Sequence, residues 1–297
     1  MKITRVTSIG RPIDVNYPTN RAIVIWALVV AVAGATVQVL AGEGWASGGL
    51  WGINAGLAVF LAWAMCRELD PDHPLSAFVA AGLATAGLLP AVGRVCYPPL
   101  LPIVGRVCYP PPQLLVILWL LVAVRVVNRT TGPPATVLDA LGVLGLGAWL
   151  SYQGNWGYGA LTVIALLLDG QLPDPQRRQR WFAGIGAVVV GVIAVLRGMP
   201  RGSGGSAVWP GLLAVGMCAL FAPVFVAARS VESVGDQGGQ RLIGVRVQAA
   251  QGIALLAGVQ AAFWSGEAGL VAMMPLWAAV VGASIYWLFS KAKGASS

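Results

Sequence analysis

A chain of 297 residues with 57% hydrophobic and only 10% charged side chains falls far short of the roughly 25% charge of a soluble domain. With a mean hydropathy of +0.76, lipid rather than water must solvate most of its surface. The formal net charge of +8 does not mark a nucleic-acid binder, because the basic residues stand in short segments between apolar runs, where they act as topology signals. One histidine, four cysteines and the absence of any Cys-x-x-Cys argue against a zinc site built from those residues.

A polar, basic segment occupies residues 1–21. Ten apolar runs follow, near 22–41, 50–66, 75–92, 112–127, 135–151, 157–170, 181–196, 210–228, 247–265 and 268–289, before a short tail at 291–297. The runs are apolar on all faces. In lipid every backbone N–H and C=O must be paired within the segment, so such runs become helices. The predicted fold is an all-α integral membrane protein, a bundle of about ten transmembrane helices forming one polytopic domain over 22–290. The first run is longer than the roughly 7–15 residues of a signal-peptide core, so it reads as a retained span. The fourth, fifth and sixth runs fall short of the roughly 20 residues a span requires. They must extend into their flanks or thin the bilayer.

Charge tests the count. With a cytoplasmic N-terminus and ten spans, fifteen of the 19 Lys and Arg residues fall on inside segments. Only Arg94, Arg106, Arg197 and Arg201 fall outside. That asymmetry predicts both termini in the cytoplasm. Trp45, Trp51, Trp156, Tyr158, Trp209 and Trp264 gather near the outer ends, as an aromatic belt. The expected location is a bacterial or archaeal cytoplasmic membrane.

Several motifs lie on this frame. Gly52 and Gly56, Gly142 and Gly147, and Gly184, Gly186 and Gly191 are small residues that let membrane helices approach closely. The phrase "LLPxVGRVCYPP" occurs twice over residues 88–111, in the outer connection between the third and fourth spans, and reads as a tolerated insertion. A disulfide between its Cys96 and Cys108 is open in an oxidising compartment, and so is a free pair. Thr136-x-x-Asp139 has the form of a capping box at a helix start. Pro223 and Pro275 fall within the eighth and tenth runs, where each would free a carbonyl and mark a kink. Asn54, Gln248 and Gln251 lie within or near spans, with Gln248 and Gln251 on one helical face. Such side chains either hydrogen-bond between helices or line a polar cavity, and with Pro275 they are the candidate substrate-binding residues.

Two acidic clusters stand on the cytoplasmic side. "CRELDPDHP" at 66–74 holds Glu68, Asp70, Asp72 and His73; "LDGQLPDPQRRQRW" at 168–181 holds Asp169, Asp174 and three arginines, Arg177, Arg178 and Arg180. Facing carboxylates can hold Mg²⁺ against a diphosphate while arginines take the remaining charge. Two solvated Pro–Asp turns are the simpler reading.

This layout, with acidic motifs in the second-to-third and sixth-to-seventh connections of a chain of similar length, resembles the UbiA prenyltransferases. Those enzymes bind Mg-diphosphate through Asn-Asp-x-x-Asp-x-x-x-Asp and Asp-x-x-x-Asp patterns. Here "RELDPDHP" lacks the Asn-Asp start, and Asp169-x-x-x-x-Asp174 is one residue longer. The resemblance implies an intramembrane enzyme acting on a lipid diphosphate, with Mg²⁺ at Asp70, Asp72, Asp169 and Asp174 and with Arg177 and Arg178 nearby. Ten helices with both termini inside, and the phrases "LWGINAGLAV" at 50–59 and "PLWAAVVGA" at 275–283, resemble the drug/metabolite transporter superfamily. That resemblance implies two inverted five-helix halves.

The leading expectation is a transporter or permease for a small neutral or hydrophobic molecule, without a cofactor. The lipid-diphosphate enzyme is the alternative, and a non-catalytic subunit of a membrane complex is the third reading. The expected partners are the lipid bilayer and a small-molecule or lipid substrate, with no nucleic acid; an oligomer or larger complex is open.

Overall fold

The computed structural model describes residues 7–10, 13–42, 44–88, 112–198, 208–236 and 239–294, with Lys293 and Gly294 described by their backbone alone. Among them helices are the regular structure, with no strand beyond an isolated bridge between Val234 and Arg241. The helices in order are α1 (Pro18–Leu40), α2 (Trp45–Leu69), α3 (Ser76–Leu88), α4 (Leu114–Asn128), α5 (Val137–Tyr152), α6 (Trp156–Asp169), α7 (Arg177–Arg197), α8 (Trp209–Ala227), α9 (Gly244–Ala272) and α10 (Met274–Gly294). Each apolar run has its helix. The 88–111 repeat after Leu88, including Cys96 and Cys108, lies outside the described residues.

Five helices, α1, α2, α7, α8 and α9, are long and apolar enough to cross a membrane. Their neighbours show what solvates them. Ile25, Leu28, Val29 and Val32 on α1 and Ile185, Val188, Val192 and Val195 on α7 are all exposed. Apolar surface that continuous has no place in water and suits acyl chains. The helices are those of a membrane-embedded, multi-pass protein. Within it, α2 is central, with 61% of its apolar stretch buried, and α1 peripheral, with 17%.

The short runs remain short. Helices α4, α5 and α6 have 15, 16 and 14 residues. Fourteen residues rise about 21 Å, less than the roughly 30 Å of a hydrocarbon core. Charges at the ends of these helices therefore need protein partners.

The last two runs divide differently from their predicted limits. Helix α9 breaks at Gly266 (φ 59°, ψ −134°), a conformation that favours glycine, and one more helical stretch reaches Ala272 before α10 begins at Met274. Pro275 is thus in the first turn of α10, where a missing N–H costs nothing, and not inside a span. Pro223 does lie inside α8.

Helices α1, α2, α3 and α10 form one group, α5, α6 and α7 another, with α4 and α9 packed between them and α8 against α9 and α10. A five-helix shift would superpose the α1–α2 pair on α6–α7. However, α3 packs on α2 and α10, while its counterpart α8 packs on α9 and α10. The packing does not repeat between the two halves. Close approach is real at some of the glycines. A Cβ on Gly52 would stand 2.3 Å from the Ala31 carbonyl oxygen, and one on Gly147 2.2 Å from Thr162 Oγ1, whereas Gly142, Gly184 and Gly191 would meet nothing within 4 Å.

The two ends of the bundle differ. At one, connections that the charge pattern placed on one side come together: Asp236 N donates to Thr130 O at 3.0 Å, and Arg246 Nε to Pro173 O at 2.8 Å. The N-terminal segment joins them, since Arg125 Nη1 donates to Ile9 O at 3.2 Å. The opposite end is aromatic: Trp156 meets Trp264 edge-on at 5.5 Å, and Arg197 lies 4.0 Å over the Tyr152 ring.

Candidate functional site

The polar end holds two charged regions of opposite character. The first is a buried knot around the end of α4. Its local cause is the sequence "RVVNRTT", Arg125–Thr131. Arg125 and Asn128 fall on the helix side facing α2, and Arg129 ends the helix in the left-handed region (φ 55°, ψ 36°), so its side chain turns the other way. Toward α2, Glu68 is fully buried and accepts from Arg125 Nε at 2.8 Å and Asn128 Nδ2 at 3.1 Å, and also from the Thr130 hydroxyl. Toward α6, Asp169 is fully buried. Its Oδ1 accepts from Arg129 Nε at 3.0 Å, Arg129 Nη2 at 2.7 Å and Arg246 Nη1 at 2.8 Å.

Asp174 completes the knot. It too has a left-handed backbone (φ 60°), tolerable for Asp. Its carboxylate accepts from Arg129 Nη1 at 2.5 Å, and its main-chain carbonyl from Arg246 Nη2 at 3.0 Å. Arg246 also donates to Val127 O at 2.9 Å. Arg125, Arg129 and Arg246 thus stand against the fully buried Glu68 and Asp169 and against Asp174, which closes the knot at its rim with its side chain 69% exposed. The set carries no net charge, a condition for burying its inner ions.

The second region is an open groove of about 1470 Å³ between α8 and α10. Ala219, Ala222, Pro223 and Val226 of α8 and Trp287 of α10 form its apolar wall; Asp72, His73, Glu232, Ser233 and Lys291 stand at its polar end. Asp72 is held in place by the backbone N–H of Glu232 and of Ser233, at 3.1 and 2.8 Å. His73 Nδ1 is 2.8 Å from Asp70 Oδ1, with 35% of the His73 side chain exposed. The hydrogen-bonded Asp70 carboxylate holds the His73 pKa above its ordinary value. Partial burial opposes it, the Asp70 and Asp72 charges add to it, and Lys291 subtracts.

The four aspartates proposed for Mg²⁺ therefore divide. Asp169 and Asp174 share Arg129, Asp70 binds His73, and Asp72 binds backbone amides. Among the described residues no three His, Cys, Asp or Glu side chains assemble as a group able to hold a metal ion. The residues present do not fit the Mg-diphosphate arrangement. Arg178 donates to Ala135 O at 2.5 Å, and Arg177 is exposed at the first residue of α7.

The proposed substrate-binding residues are also scattered. Gln251 is fully buried and donates to Leu69 O at 2.7 Å, and Gln248 donates to Phe225 O at 2.9 Å, so both tie α9 to its neighbours. Asn54 sits half-buried on α2, and Pro275 is buried at the start of α10. Asp139 does form the capping box: Thr136 Oγ1 accepts from Asp139 N at 3.3 Å, and Asp139 Oδ2 from Thr136 N at 2.8 Å. The same carboxylate accepts from Ser8 N at 2.9 Å and from the Thr7 hydroxyl, pinning the N-terminal segment.

In the sequence alone, Arg125, Arg129 and Arg246 stand among the basic residues that signal topology. One signal was available. Arg125 and Arg129 are four apart at the end of an apolar helix, where basic side chains rarely go without partners. The groove had a weaker one, in Pro223. Compared with known proteins, the chain matches no family model, no curated protein and no solved structure.

Proposed function

We propose that the chain is a transporter or permease for a small neutral or hydrophobic molecule, with the α8–α10 groove as its binding site and the polar end in the cytoplasm. One observation carries this reading: the proline inside α8 lines the groove. Pro223 has no N–H, so the carbonyl four residues earlier, at Ala219, loses its helical donor. Ala219 and Pro223 both line the groove, which gives an apolar wall a single backbone acceptor and weakens the helix where a substrate would rest. Broken helices bearing freed carbonyls are the usual material of transporter sites. The orientation follows from the excess of Lys and Arg on the connections gathered at the polar end.

Sided labelling tests this. In a background with Cys66, Cys96, Cys108 and Cys218 replaced by Ser or Ala, Ala219→Cys and Val226→Cys are placed singly in sealed vesicles of known orientation. A transporter opens the groove alternately, so a membrane-impermeant thiol reagent will reach Ala219→Cys from both sides. Labelling from the polar side alone would reduce the groove to a one-sided binding site and overturn transport.

A further inference from the structure

The groove has more definite chemistry than a generic apolar site. Its volume, about 1470 Å³, exceeds the roughly 300–1,000 Å³ of a drug-sized pocket. Its α8 wall presents methyl groups, with Ala219, Ala222 and Val226 all exposed beside Trp287. An acyl chain fits such a wall.

The polar end carries both signs. Lys291 lies 5.9 Å over the Trp287 ring, and Glu232 projects from the segment whose N–H groups hold Asp72. Both side chains are exposed, and among the described residues neither has an ion-pair partner. An anionic amphiphile would set its charge against Glu232 and Asp72. A cationic one would meet Lys291 and His73. A head with one charge of each sign satisfies both.

We propose that the groove holds a zwitterionic phospholipid, its chain along α8, its phosphate toward Lys291 and its ammonium toward Glu232. The assignment rests on the groove being the binding site proposed above, but not on access from both sides. It places the substrate class at the cytoplasmic leaflet, where Trp287 stands as an interfacial aromatic.

The test uses the purified full chain in detergent with equal amounts of phosphatidylethanolamine and phosphatidylglycerol, counting bound lipid by native mass spectrometry. Wild type will retain phosphatidylethanolamine in preference. Lys291→Glu and Glu232→Lys will each lower that retention by about two- to fivefold, the scale of one exposed ion pair, and the double swap will restore most of it. Ala222→Trp will fill the wall and remove binding without touching a charge. Equal retention of the two lipids, or unchanged retention in Ala222→Trp, would overturn the proposal. Competition by soluble O-phosphoethanolamine as effective as by the lipid would overturn the amphiphile. Selective lipid binding with one-sided thiol labelling would end the transport reading alone. Two-sided labelling without lipid selectivity would end the lipid assignment alone.

Discussion

Asp169 ends an apolar helix and Asp72 follows one, each beside a Pro- and Asp-rich connection, yet the structure treats them oppositely. Asp169 is sealed, with two guanidiniums on one oxygen. Asp72 is half-buried, held by two backbone amides, and lines an open groove. The difference lies in what the neighbouring helices bring. Helix α6 has only 14 residues, so its end must be neutralised by side chains from α4 and α9. Helix α2 has 25; its last turn gives Glu68 to the same knot, and only Asp72, three residues beyond its end, reaches a surface that backbone donors and water can satisfy. A carboxylate buried that deeply is a fastener, and one left open can meet a ligand.

The strongest way to break this contrast is to remove each carboxylate in turn. Asp169→Ala leaves Arg129 and Arg246 buried without their shared partner, which costs about 3–5 kcal/mol. A large fall in the midpoint of denaturant unfolding, or loss of monodisperse protein, is expected. Asp72→Ala removes only hydrogen bonds at a half-open site, about 1 kcal/mol. Equal shifts in the two variants would erase the distinction.

A smaller effect separates the cations. Arg246 donates to Asp169, Val127, Pro173 and Asp174 at once. Arg246→Lys keeps the charge but loses the planar fork, and at least two hydrogen bonds with it, about 1–3 kcal/mol. Lys291→Arg in the groove should stay within about 0.5 kcal/mol. Thermal unfolding of the two variants in the same detergent checks this. A tolerant Arg246 would show that the knot is not sealed.

The smallest effect sharpens the groove. Protonated His73 is stabilised by Asp70, with Asp72 adding and Lys291 opposing across the groove, beside the Tyr286 ring. Its folded pKa lies above the unfolded value. The stabilisation is therefore fully present below about pH 6.5 and fades as pH rises through the folded pKa. Comparing wild type with His73→Gln should show a gap of about 0.2–1 kcal/mol at low pH, closing as pH rises. A gap that widened with pH would refute the assignment of charge on His73.

Much of the frame was legible because its causes are local. Thr136 and Asp139 cap α5 through bonds between residues three apart, and the Gly266 break falls where the ninth apolar run ends. The pairing of Asp169 with Arg129 and Arg246 was not legible, since the partners lie 40 and 77 residues away. Spacing within one helix placed Gln248 and Gln251 on one face, but could not say that the face meets the Phe225 and Leu69 carbonyls. Gly52 and Gly142 look alike in sequence, and only packing against α1 makes Gly52 indispensable.

By itself, the sequence determined the helical elements and the sorting of their connections between two ends, because hydrocarbon demands internal backbone pairing and strongly disfavours unpaired charge. Tertiary structure alone decided which acids are consumed as fasteners and which remain at an open groove. That outcome depends on the depth at which each helix ends and on which cations distant segments bring within reach.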